Sequence, residues 1–121
     1  VIHTIPPVYN SRSRVLMLGS FPSPKSREAG FFYGHPQNRF WKVVSGALGQ
    51  ECPLSIEEKR TFLLKNGIAV WDVLYSCDID GAKDTSISNP VPNNLEVILS
   101  RADIKGIFAT GGKAYELYCR L

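Results

Sequence analysis

A chain of 121 residues, 44% hydrophobic and 21% charged, has the size and composition of one soluble globular domain whose core needs no disulfide staples. Its formal net charge of +3 permits contact with phosphates without requiring it. Cys52, Cys77 and Cys119 are an odd set with neither a CxxC nor a metal-ligand spacing, so a reducing, intracellular setting is expected and no metal site is.

Residues 1–13 carry Pro6-Pro7 and read as an extended lead-in, in which His3 has no identifiable partner. Arg14 to Leu18 (RVLML) is a short apolar run closed by Gly19 and reads as a buried strand. A long loop then runs to Gly34, polar and flexible from Pro24 to Gly30, with the aromatic cluster Phe31-Phe32-Tyr33 behind it.

Pro36 suits the first turn of a helix, and Phe40, Trp41, Val43, Val44 and Leu48 fall at helical spacings up to Gly49. Ser55 with Glu58 three residues on is a capping-box pattern opening the next helix, which Asn66-Gly67 should stop. Ile68 to Leu74 (IAVWDVL) reads as a second buried strand with one acid, Asp72, inside it.

Residues 76–94 are polar, contain Gly81, Pro90 and Pro92, and read as a long loop. Asn94 is placed to cap a short helix over Leu95 to Arg101; Ile104 to Thr110 is a third strand, Gly111-Gly112 a turn, and a helix starts at Lys113. Cys77 and Cys119 lie beside apolar runs and are expected as buried thiols. The alternation predicts an α/β fold, a three-layer α/β/α sandwich around a central parallel sheet with three strands in view. No apolar run approaches ~18 residues, so no membrane span is expected, and no signal peptide is visible.

Ligands of open parallel sheets collect at the carboxyl ends of the strands. The three strand ends here carry Gly19-Ser20, Asp72 and Thr110-Gly111-Gly112. Gly19-Ser20 reads either as a place for close backbone approach to a ligand or as an ordinary strand-to-loop turn. Neither GxGxxG nor GxxxxGK[ST] is present, which weighs against nucleotide cofactors. Of Phe31, Phe32 and Tyr33, one ring is expected in the pocket, where stacking on a base is worth about 1–3 kcal/mol.

Asn38 is either a first-turn residue bonded to backbone or a holder of water through its amide oxygen. Asp72, if buried, needs a partner; an Arg, the backbone or the N–H groups of a base would serve. His35 could support developing negative charge or fix the loop. Lys25, Arg27, Lys42 and Lys113 flank the strand ends and form either a phosphate-binding rim or a solvated surface.

Taken together these residues resemble the uracil-DNA glycosylase superfamily. GFFYGHPQNRFWKV (Gly30 to Val43) is similar to the loop and helix of its mismatch-specific uracil glycosylase branch, as is TGGKAYE (Thr110 to Glu116) to that branch's third-strand turn and helix. GSFPS (Gly19 to Ser23) has the form associated with the hypoxanthine-DNA (deoxyinosine) glycosylases.

The resemblance implies a cofactor-free hydrolase that flips a deaminated or mismatched base out of DNA and cuts its N-glycosidic bond. It places Gly19, Ser20 and Phe21 along the base pocket, Tyr33 stacked on the base, and Asp72 near the base-reading position. Asn38 would hold the water in place of the acid or amide that most relatives carry where Phe21 stands. His35 is a candidate support, and Lys25, Ser26 and Lys113 are candidates for the DNA backbone.

The superfamily's second motif follows a fourth strand, so residues 1–121 are expected to be a single glycosylase-like domain that lacks its C-terminal part. A monomer is expected. Two other readings compete: a non-catalytic DNA- or nucleotide-binding domain of the same fold, and a Ser- or His-dependent hydrolase built on Ser20, Ser23 or Ser26.

Overall fold

The computed structural model describes residues 1–3, 5–34, 38–80 and 83–121. Strand β1 (Val15–Gly19) lies at the centre of a three-stranded parallel sheet between β2 (Ile68–Asp72) and β5 (Gly106–Ala109). The even side chains of β1, Leu16 and Leu18, are fully buried, whereas Val15 and Met17 on the opposite face are partly covered. All five residues of β2 are buried, as parallel strands covered on both faces require.

β2 would present an open edge, but the lead-in closes it. Val8 exchanges both backbone bonds with Val70 at 3.0 Å, and the His3 N–H reaches the Tyr75 carbonyl at 2.6 Å. The extended lead-in expected from Pro6-Pro7 is thus a paired edge segment, with Ile5 and Val8 in the core.

Between β1 and β2 run α1 (Pro24–Ala29), α2 (Phe40–Ala47) and α3 (Ile56–Lys65). The capping box on α3 forms: Ser55 Oγ accepts from the Glu58 N–H at 3.0 Å, and Glu58 Oε1 accepts from the Ser55 N–H at 3.3 Å. α1 occupies the stretch expected as a flexible loop. Ser23 caps it, Pro24 fills its first turn, and Gly30 ends it in the left-handed conformation (φ 74°). These are good helix boundaries around a segment too short and polar to show a helical apolar period.

Residues 76–94 also differ from expectation. β3 (Leu74–Asp78) and β4 (Ser88–Pro92) form an antiparallel hairpin. Every residue of β4 is exposed, so no apolar alternation marks it, and Pro90 and Pro92 are tolerated because it is an edge. α4 (Glu96–Leu99) is shorter than expected; Asn94 Oδ1 accepts from the Glu96 N–H at 3.2 Å. α5 (Gly112–Arg120) buries Ala114 and Leu117. Cys77 is buried, but Cys119 is exposed because it lies off the buried stripe of α5. Among the described residues no helix is long and apolar enough to cross a membrane.

The central strand carries the fold, so Leu18→Ala should lower unfolding free energy by about 2–5 kcal/mol. The same truncation at the partly covered Met17 should cost clearly less. Paired urea denaturation curves test this; equal losses would contradict the unequal coverage of the two sheet faces.

Candidate active site

A cleft of about 150 Å³ opens where β1, β2 and β5 end. It is small beside the ~300–1,000 Å³ of a drug-sized ligand site and suits one flat ring. Gly19 through Ser23, Ser26, Phe32, Tyr33, Asn38, Asp72 and Thr110 line it. The structure therefore brings together most of the residues singled out from the sequence, drawn from all three strand ends.

Gly19 and Ser20 continue the β1–β2 ladder past its last registered pair. Their carbonyls accept from the N–H groups of Val73 (2.8 Å) and Leu74 (3.2 Å). The need for glycine at 19 is spatial. A Cβ there would collide with Asp72 Oδ1 and would stand 3.5 Å from the Tyr33 hydroxyl oxygen. The missing side chain makes room for a carboxylate.

Asp72 is buried, and its partner is neither an arginine nor backbone. His3 Nε2 lies 2.8 Å from Asp72 Oδ2, and both side chains are almost fully enclosed. The lead-in histidine, expected without a partner, stands behind Asp72, delivered by the pairing of Ile2 with Ser76 and of Val8 with Val70. Burial raises the Asp72 pKa, and the hydrogen bond from His3 works against that rise. Phe21 meets the His3 ring edge-on at 5.9 Å, and Arg27 lies over the Phe21 ring at 5.7 Å.

The aromatic cluster divides. Phe31 and Phe32 are buried, Phe31 stacking on Trp41 at 6.1 Å. Two of the three rings, Phe32 and Tyr33, reach the cleft rather than one. Tyr33 has φ 53°, a conformation uncommon outside glycine that turns its side chain away from those of its neighbours. Its ring stacks on Phe40 at 3.9 Å and 15°.

Thr110 Oγ1 donates to the Leu18 carbonyl at 3.2 Å. The Tyr33 hydroxyl therefore donates to Thr110 at 3.0 Å, tying the aromatic loop to the end of β5. Burial, and then the negative Asp72, push the Tyr33 pKa up, so it remains a neutral phenol.

Asn38 is exposed at the rim, and its Oδ1 accepts from the Phe40 N–H at 2.8 Å. The two readings of Asn38 are compatible: one lone pair of the amide oxygen accepts from the backbone two residues on, and an amide oxygen has a second to offer a water. Ser26, a candidate for the DNA backbone, is buried. Its Oγ accepts from the Gly34 N–H at 2.9 Å and from the Ser23 hydroxyl at 3.2 Å, so it holds the loop from within. Lys25 and Lys113 stand outside the cleft lining, 3.8 Å from Glu28 and Glu116 respectively. His35 lies outside the described residues. Among the described residues no three His, Cys, Asp or Glu side chains converge as metal ligands.

A small polar cleft with aromatic walls, at the strand ends of a parallel sheet, defines an α/β protein with its candidate site at the carboxyl edge of the sheet. The chain belongs to the uracil DNA glycosylase superfamily, whose family model matches residues 6–121.

A hypoxanthine DNA glycosylase of Methanosarcina barkeri is 29% identical over 113 residues, which are 92% of this chain and 72% of that protein. One of Methanosarcina acetivorans is 33% identical over 91 residues, 74% of this chain and 58% of that protein. A solution NMR structure from Methanosarcina acetivorans, provisionally assigned as a uracil DNA glycosylase, superimposes with a TM-score of 0.83 at 30% identity. The match covers 98% of this chain and 75% of that one. The parallel three-stranded sheet is common to both folds.

Gly19→Ala should lose about 1–3 kcal/mol of stability through overpacking against the carboxylate. In an Asp72→Ala background the same change should cost much less, since neighbours in contact are non-additive. A double-mutant cycle by denaturant unfolding measures the coupling; additive losses would contradict the contact.

Proposed function

We propose that this chain is the base-binding and catalytic part of a DNA glycosylase that hydrolyses the N-glycosidic bond of a deaminated base, hypoxanthine or uracil. The observation that carries the reading is the placement of Asp72 and Asn38 on one small cleft, one at its buried end and the other at its exposed rim. A carboxylate accepts hydrogen bonds only. It suits the ring N–H that deamination creates: hypoxanthine and uracil carry that N–H, and adenine and cytosine do not. The names of the Methanosarcina relatives support hypoxanthine as the first substrate to test.

In the proposed reaction the target nucleotide leaves the duplex at a cost of a few kcal/mol, lowest at a mismatched or damaged pair. The base enters beside Phe32 and Tyr33, with Asp72 Oδ1 accepting its ring N–H. The glycosidic bond then breaks with its electron pair moving to the base, while the sugar develops oxocarbenium character. Water oriented by Asn38 adds to the anomeric carbon and gives up a proton to solvent while the departing base takes one up, leaving an abasic sugar and a neutral free base. A cation-like sugar needs a placed water more than a strong base, which is why an uncharged amide suffices. No lysine lines the cleft among the described residues, so base release without strand cleavage is expected. The reading implies a monomer working on DNA inside the cell, and Lys25 and Lys113 remain candidates for its phosphates.

Asn38→Ala should reduce single-turnover release of hypoxanthine at least a hundredfold. Asn38→Asp keeps an oxygen for both tasks and should retain more activity than the alanine variant. Undiminished release by Asn38→Ala on an inosine duplex would refute the assignment, and duplex binding without release by the wild type would favour a non-catalytic binding domain.

Asp72→Asn still accepts from His3 but turns an N–H₂ toward the cleft. It should lower the preference for hypoxanthine over adenine at least tenfold, read as the ratio of release rates from matched duplexes. An unchanged ratio would remove Asp72 from base reading.

A further inference from the structure

His3 has a second hydrogen bond, and it determines which proton the buried pair can hold. The Ile5 N–H donates to His3 Nδ1 at 3.2 Å. That nitrogen is therefore the lone-pair nitrogen, and the ring proton lies on Nε2, which faces Asp72 Oδ2 at 2.8 Å. A doubly protonated ring would set Nδ1–H against the Ile5 N–H, donor against donor. The two contacts thus fix the tautomer, and the Nε2–H is spent on one carboxylate oxygen.

The other oxygen, Oδ1, lies against the bare Cα of Gly19, on the cleft lining. We propose that His3 is a positioning residue for base recognition: its fixed tautomer occupies Oδ2 and orients Asp72, so that Oδ1 is turned toward the cleft as the acceptor for a ring N–H. This rests on the base-excision reading of the cleft.

The surroundings leave this task to His3. Burial alone favours the protonated acid, and an acid with its proton on Oδ1 would offer a donor where an acceptor is needed. No charged side chain other than Asp72 lines the cleft among the described residues. From the aromatic loop comes Tyr33, a neutral phenol whose hydroxyl is committed to Thr110. β1 supplies glycine, and the end of β5 supplies Thr110, whose proton is committed to Leu18. From α1, Arg27 lies over the Phe21 ring.

The lead-in can do this because its register is locked. His3 is bonded through its N–H to Tyr75, and Val8 is paired with Val70, so the ring meets Asp72 at one height. Phe21 and Phe32 pack beside it at 5.9 and 6.0 Å and exclude water, which would otherwise solvate the carboxylate and make the histidine dispensable.

The sign of the pH effect follows. The carboxylate loses its hydrogen-bonded partner when His3 is removed, its pKa rises, and recognition of the ring N–H is lost at a higher pH as the solution is acidified.

The test compares wild type, His3→Phe and His3→Gln by two readouts: ¹³C NMR titration of the Asp72 carboxyl, and single-turnover release of hypoxanthine from an inosine duplex between pH 5 and 8. His3→Phe should move the carboxyl titration and the acid limb of the rate upward together by about one pH unit, a tenfold change in proton affinity. His3→Gln, which keeps an N–H donor, should restore most of both.

Coincident Asp72 titrations in the three proteins would overturn the inference, as would a loss of thermal stability with an unmoved pH profile. If His3→Phe does not fold, ¹⁵N shifts of the wild-type imidazole decide, since a protonated Nδ1 at neutral pH would overturn it. A shifted titration in a protein that releases no base would leave His3 in this role and refute the excision reading instead.

Discussion

A carboxylate buried at the end of a parallel strand sets the terms for everything around it. Asp72 is enclosed beneath the cleft, and a buried ionised group is tolerable only with a hydrogen-bonding partner. That requirement reaches into three separate stretches of the chain. Residue 19 must lack a Cβ. The first residues must be pinned along β2 so that His3 arrives at the right depth. The turn after Asp72 must be braced, and Asn93 Nδ2 does this by donating to the carbonyls of Asp72 (2.9 Å) and Leu74 (3.0 Å). The hairpin β3–β4 thereby serves the site as well as the fold.

The opposite wall follows a different logic, in which stiffness comes from rings and caps. Phe31 and Phe32 anchor the aromatic loop in the core, Phe32 also lining the cleft, and Tyr33 follows in a left-handed turn with its ring on the cleft as well. Tyr33 is then held by Phe40 on one face and Thr110 at its hydroxyl. Asn38 Oδ1 accepts from the N–H of the same Phe40, so the proposed water-holding amide is tied to the start of the helix that carries the stacking ring. Catalysis by positioning depends on such rigidity, because small displacements of the reacting groups cost large factors in rate.

Superfamily membership and this geometry support each other at different levels. The family match over residues 6–121 concerns descent and fold. The cleft concerns chemistry: an acceptor in its buried end, aromatic sides and an amide at its rim. The His3–Asp72 pair lies partly outside the matched residues, since His3 precedes them.

Much of this was legible in the sequence because it rests on local signals. RVLML and IAVWD announce buried strands by their unbroken apolar runs, Ser55 and Glu58 announce a helix start, and Gly30 to Phe40 carry a motif specific enough to point to a family. Elements without a local signature were missed. β4 is wholly exposed, and α1 is too short for an apolar period. The partner of Asp72 lies 69 residues away, a separation that no window along the chain spans. One clue was present: a chain with two histidines and an acid inside an apolar strand invites that pairing. The sequence by itself thus determined the strands, the capped helix and the identity of the groups at the strand ends, since backbone preference and apolar period act over a few residues. Only the tertiary structure decided that His3 meets Asp72, that Gly19 is bare to admit a carboxylate, and that Tyr33 faces the cleft. Those outcomes depend on which distant surfaces exclude water together.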